Sequence, residues 1–166
     1  MRVTSRKRLI VGLGTALIAA LPLSRASAQS PATTTMVVTA TVNANCTVSA
    51  TDMAFGAYSG AQLDSTATIT ATCSNGTAYT VGLNQGLTGT GVTDRRMAGP
   101  GTDTLLYHLF SDTTRTTNWD DVGGANPATG TGTGSAQALT VYGRVPADQF
   151  VQAGNYSDTV TVTVSY

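Results

Sequence analysis

The chain contains no glutamate, and its one lysine is Lys7. It has one histidine, His108, one tryptophan, Trp119, and two cysteines, Cys46 and Cys73. Each scarcity excludes something. Without clustered basic residues there is no electrostatic footprint for nucleic acid, whose phosphates want Lys and Arg grouped on one face. One His with no G-x-S-x-G or comparable signature leaves no nucleophile, base and orienting acid to assemble, so no catalytic residue is assigned and no enzyme is expected. Two Cys and one His are too few nitrogen and sulfur ligands for a structural zinc. Asp112, Asp120 and Asp121 share one loop region, but their spacing fits no calcium loop, and aspartates in turns are commonly solvated. No metal and no cofactor is expected.

What is present begins with an export signal. Arg2, Arg6, Lys7 and Arg8 precede an apolar run, and Ala26-Ser27-Ala28 fits an A-x-A cleavage site, so residues 1–28 read as a secretory signal that is removed. The run is too short and its flank too polar for a membrane span. The remaining 138 of 166 residues make one domain by size. Five basic residues leave with the signal, so four Arg stand against nine Asp, a formal charge of 4 − 9 = −5. Abundant Thr, Ser, Gly and Ala with ordinary hydrophobic content suits an extracellular β-protein.

In an exported chain an even pair of cysteines reads by default as a disulfide, here Cys46–Cys73, with two free thiols or half a metal site as the rival. Closing that loop would stabilise the fold by roughly 3–4 kcal/mol on the chain-entropy account.

Beyond the signal no stretch has a helical period, and alternation runs throughout. Residues 156–166 place Val160, Val162, Val164 and Tyr166 on one face and Thr159, Thr161, Thr163 and Ser165 on the other, a half-buried strand. Either an internal strand covers its regular apolar edge or a partner does. Residues 36–42 alternate too, with Met36, Val38, Ala40 and Val42 sharing a face. In residues 65–73, Ala67, Ile69, Ala71 and Cys73 face one way. Ser74-Asn75-Gly76-Thr77 is a hairpin signal, with Tyr79, Val81 and Leu83 on the returning strand. Residues 55–60 read as a short strand broken by turns, and residues 85–101 as a loop-rich stretch around Arg95-Arg96-Met97. Residues 105–110, apolar on both faces apart from His108, are expected between layers or crossing from one sheet to the other. Residues 112–134 form the longest irregular region and end in a flexible Gly-Thr repeat, before a strand over 139–145. Short strands with Gly and Asn turns describe an antiparallel sandwich.

These residues together resemble the spore coat protein U domain family, which includes subunits of archaic chaperone–usher pili. The resemblance is carried by Thr39-Ala40-Thr41-Val42, Asn45-Cys46-Thr47-Val48-Ser49-Ala50, Phe55-Gly56-Ala57-Tyr58, Cys73-Ser74-Asn75-Gly76-Thr77, Arg96-Met97, residues 106–112, Trp119, Tyr142-Gly143-Arg144 and residues 154–166. It implies an incomplete immunoglobulin-like antiparallel β-sandwich, all-β, completed by a donated strand. A periplasmic pilus chaperone lends that strand first. An outer-membrane usher then exchanges it for the N-terminal segment of a neighbouring pilin subunit, giving a head-to-tail polymer. Carried onto this chain, residues 29–42 are the donor segment and first strand, with Met36, Val38, Ala40 and Val42 as donor positions. Residues 43–166 are the pilin domain, with Val160, Val162, Val164 and Tyr166 on the edge of the acceptor groove. The expected function is a structural subunit of an extracellular fibre with a role in adhesion or biofilm, exported to the periplasm and then the cell surface. The size suits a shaft or adaptor subunit better than a two-domain tip adhesin. The alternatives are a secreted spore or cell coat component, and a carbohydrate-binding β-sandwich using the loops at 95–100 and 112–134, with Trp119 stacking on a sugar.

Overall fold

The computed structural model describes residues 27–166 and divides after Ala40 into two units. The signal at 1–28 lies, but for its last two residues, outside the described residues.

In the first unit, residues 27–40 form no strand, and Met36, Val37 and Val38 are 84%, 86% and 81% exposed. The alternation at 36–42 is therefore not realised as a strand. A strand exists through its hydrogen-bond ladder, and none runs along these residues.

The second unit holds eight strands: β1 Cys46–Ala50, β2 Leu63–Cys73, β3 Ala78–Leu83, β4 Arg95–Ala98, β5 Thr104–Phe110, β6 Ala128–Thr131, β7 Ala136–Val145 and β8 Val162–Ser165. All pairings are antiparallel. They make a five-stranded sheet, β1-β2-β7-β5-β4, and a three-stranded sheet, β6-β3-β8. Ile69, Ala71 and Cys73 of β2, Leu105, Tyr107 and Leu109 of β5 and Val141 and Val145 of β7 belong to one buried cluster with Tyr79, Val81 and Leu83 of β3 and with Trp119. Period-two alternation places one face of each strand in this core. The fold is an all-β immunoglobulin-like sandwich.

Several local readings are corrected. The Asn75-Gly76 turn exists, with the Thr77 N–H donating to the Ser74 carbonyl at 3.1 Å, but it closes no hairpin. Both edges of β2 are taken by β1 and β7, and both edges of β3 by β6 and β8. The turn instead passes the chain from one sheet to the other. Residues 105–110 do the reverse of what was expected: β5 stays within one sheet, Leu105, Tyr107 and Leu109 buried and Leu106, His108 and Phe110 half-buried. Residues 55–60 are not a strand. The loop-rich stretch contains β4, and part of the Gly-Thr repeat is β6, whose Gly130 lies against the Tyr79 ring where a side chain would collide. Finally, the closing strand is four residues long, not eleven.

Candidate functional site: a groove between two free edges

β1 ends the five-stranded sheet, and β8 ends the three-stranded one. The two strands approach one another, and past Ala50 of β1 and Val162 of β8 the sandwich is open. One cavity of about 400 Å³ lies between residues 50–53 and residues 156–162, and its floor is core: Ile69, Leu83, Tyr107, Leu109 and Val141. A second, of about 820 Å³, continues between residues 53–60 and residues 149–156 over Leu63, Leu105 and Val145. Both are bordered by Met53, Phe55, Met97 and Tyr156, so they form one groove with a waist.

The strands that lead into this groove carry unused backbone groups, of which those of Ala50 and Val162 lie at its border. β1 is bracketed by two bonds to β2, from Ser74 N–H to the Asn45 carbonyl and from Thr51 N–H to the Thr68 carbonyl, both 2.9 Å. Bonded pairs alternate along an antiparallel ladder, so Val48 and Ala50 turn their N–H and C=O away from β2. On β8 the Asn84 N–H donates to the Thr161 carbonyl at 3.1 Å, and the same alternation turns those groups of Val162 and Val164 away from β3. Val160, Val162 and Val164 pack their side chains partly buried against the core, whereas Tyr166 is 58% exposed past the end of β8. Of the remaining positions named from the sequence, Ala40 is exposed and Val42 is 89% exposed.

The rims are fastened locally. Cys46 and Cys73 form a disulfide with Cα atoms 4.1 Å apart, tying the start of β1 to the end of β2. Residues 53–55 can lie flat on β7 because residue 143 is glycine: a Cβ there would stand 2.2 Å from Met53 Sδ and 2.7 Å from Phe55 Cζ. On the opposite rim, Asp158 accepts from the Tyr107 hydroxyl at 2.6 Å and from Leu87 N–H at 2.9 Å. Burial, and then that bond to Asp158, push the Tyr107 phenol pKa far up.

Arg95 was not singled out by the sequence as an interior residue, yet it is wholly buried. Its Nε donates to the Asn84 carbonyl and its terminal nitrogens to the carbonyls of Val92, Leu83 and Trp119, all at 2.7–2.8 Å. Burial draws its pKa down, and the surrounding Tyr107, Asp120, Asp158 and Asp121 pull it back up. The signal was its parity with Met97: in a strand Arg95 and Met97 share a face, while Arg96 points out to Asp94 at 2.8 Å.

The residues weighed for other chemistries are occupied structurally. Trp119 is 1% exposed and its indole N–H donates to the Val81 carbonyl at 2.9 Å, so it is core and offers no face to a sugar. Asp112 caps its own turn, accepting from Thr117 N–H at 2.6 Å and from the Thr114 hydroxyl, which holds its carboxyl well below the usual range. Asp120 accepts from the N–H groups of Ala125 and Asn126, both 3.1 Å, and Asp121 from Val122 N–H at 2.7 Å. His108 is half-buried on β5 beside Phe110, and burial lowers its pKa.

The spore coat protein U domain matches residues 32–163. Protein U of Myxococcus xanthus is 33% identical over 113 residues, which cover 64% of this chain and 63% of that protein, so the chain spans just under two thirds of this curated relative. A chain in the crystal structure of the CsuC–CsuE chaperone–tip adhesion subunit pre-assembly complex, from archaic chaperone–usher Csu pili of Acinetobacter baumannii, superposes with a TM-score of 0.57 at 27% identity. The overlap covers 76% of this chain and 40% of that one.

Proposed function

The chain belongs to the spore coat protein U domain family, and on that premise we propose that it is a structural subunit of an extracellular fibre, assembled by donor-strand exchange. The family is structural, and the chain is not an enzyme. The observation that carries the proposal is the groove: an apolar interior left open between residues 50–60 and residues 149–162, running on from the ends of β1 and β8, two strands that each keep one free edge. A segment laid there would gain main-chain bonds from the edge and apolar burial from the floor.

The donor segment is residues 29–42 of a neighbouring copy or sibling subunit. Residues 29–45 hold no charged side chain, and Met36, Val38, Ala40 and Val42 share one face. Fully burying a Met or Val is worth roughly 1.5–3 kcal/mol each. Several such residues with a ladder give a link that scarcely dissociates. Before assembly a periplasmic chaperone fills the groove, and an outer-membrane usher exchanges its strand for the donor. The likeness to a chain of a chaperone–subunit pre-assembly complex supports the chaperone step. The signal at residues 1–28 exports the chain, residues 43–166 are the pilin domain, and the fibre stands on the cell surface with a role in adhesion or biofilm.

The test is deletion of residues 33–40. Expected is a folded, exported subunit that stays bound to the chaperone and forms no polymer; fibres of normal length from the deletion would rule the proposal out.

A further inference from the structure

We propose that Arg95 is a positioning residue for strand uptake: by capturing the Asn84 carbonyl it diverts the last strand across the two sheets and so builds one wall of the groove. This inference rests on the reading of the groove as a strand acceptor.

The β3–β8 register pairs Thr80 with Ser165 and Gly82 with Thr163, and the next bonded pair due is Asn84 with Thr161. Half of it forms, the Asn84 N–H donating to the Thr161 carbonyl at 3.1 Å. The other half does not: the Asn84 carbonyl accepts from Arg95 Nε at 2.8 Å. The Thr161 N–H goes instead to Asn84 Oδ1 at 2.8 Å. A side-chain oxygen stands farther from its own backbone than the carbonyl does, so Thr161 is held off and the ladder ends at Val162. Upstream, Asp158 reaches Tyr107 on β5, and Ser157 exchanges two bonds, 2.8 and 3.0 Å, with Ala98 on β4. Residues 157–161 thus bridge from one sheet to the other, and residues 157–160 line the smaller cavity.

Arg95 forms no ion pair among the described residues, and carbonyls alone satisfy it. A buried cation held this way is a costly means of filling core volume, which an apolar side chain does more cheaply. It does supply a rigid fork that takes a carbonyl out of a ladder. Without the guanidinium the Asn84 carbonyl is free for Thr161 N–H. The ladder then extends toward Val160, draws Asp158 off Tyr107, and moves the wall.

The experiment compares the mature chain with Arg95→Met, using a synthetic peptide of residues 29–45 as the strand. Backbone amide shifts of residues 157–162 report the wall, and the rate of peptide capture reports uptake. Expected for Arg95→Met are an unchanged far-ultraviolet β spectrum, shifted amides at 157–162, and capture slowed at least about tenfold, the effect of losing one positioning contact. Unshifted amides, or shifted amides with capture at the parent rate, would overturn the inference. Failure of the parent itself to capture peptide would sink the acceptor reading and with it the uptake role. Should Arg95→Met not fold alone, the substitution is made in a chain carrying a second copy of residues 29–45 after Tyr166 on a Gly/Ser linker. With the groove filled, the docked strand holds the wall, and the variant loses less of its denaturation midpoint than it does in the open form. An equal loss of midpoint in the open and filled forms means a structural role only and overturns the proposal.

Discussion

The Gln149 carboxamide closes both backbone groups of Leu106: the Leu106 N–H donates to Oε1 at 2.7 Å, and Nε2 donates to the Leu106 carbonyl at 3.1 Å. Continuing the β5–β7 register, in which His108 faces Arg144, sets Leu106 opposite Pro146. Proline has no N–H to offer, and the side chain three residues on takes its place, also donating to the Pro146 carbonyl at 3.2 Å. The Tyr58 hydroxyl adds a bond to that carbonyl at 2.8 Å and accepts from Gln149 N–H at 3.0 Å. This substitute ladder anchors Gln149, where residues 149–156 begin one side of the larger cavity.

Gln149→Ala should therefore cost about 1–3 kcal/mol, the penalty for leaving part-buried backbone groups unpaired. Urea denaturation checks it. Gln149→Glu, which sets an ionised carboxylate against the Leu106 and Pro146 carbonyls, should cost at least as much as alanine at neutral pH.

Replacing Cys46 and Cys73 together by Ala should lower stability by about 2–5 kcal/mol. β1 pairs with a neighbour on one side only, so its amides should lose the most protection from hydrogen exchange. Protection lost evenly across both sheets would show that the disulfide does not specifically secure this rim.

Gly143→Ala places a Cβ against Met53 Sδ and Phe55 Cζ. The thioether can move aside, but the ring cannot without lifting residues 53–55. The expected cost is about 1–3 kcal/mol, with slower capture of the 29–45 peptide, measured side by side.

Trp119→Ala should cost about 3–5 kcal/mol as a cavity-forming core deletion, and thermal unfolding measures it. An unchanged melting temperature with loss of glycan binding would restore the sugar-stacking role that its burial excludes.

Stability should fall on acidification in two steps. The Asp64 carboxyl is held low, first by its bonds to Arg144 and then by the charge of Arg115, and Asp112 is held low by the Thr114 hydroxyl and the N–H groups of Thr117 and Thr116. A depressed folded pKa contributes stability that is present above the unfolded value, about 4 for Asp, and is lost as pH falls toward the folded one. His108 is also depressed, by burial, so the folded state resists its protonation and stability declines as pH drops below the unfolded value of about 6.5. Denaturation midpoints across pH 3–8 test this range. Asp64→Asn should flatten the acid limb, and His108→Gln the part below about pH 6.5.

Period two was legible wherever a strand has one buried face: Ala67 to Cys73 on β2 and Leu139 to Val145 on β7 emerged with the facing expected. The cysteine pair was legible because compartment and count leave little else for two cysteines to do. Arg95 was not, because nothing local says that a guanidinium will find four carbonyls, and those carbonyls come from Leu83, Asn84, Val92 and Trp119. The length of β8 escaped for the same reason: its valines alternate past the point where Arg95 takes the Asn84 carbonyl.

The sequence by itself determined the all-β class, the faces of the strands, the disulfide and the kinship, since all of these follow from residue type and near-neighbour spacing. The tertiary structure alone decided which strands share a sheet, where each ladder stops and that the core stays open past the ends of two free-edged strands. Those outcomes depend on competition for hydrogen-bonding edges between segments far apart in the chain, and no local pattern encodes which contender wins.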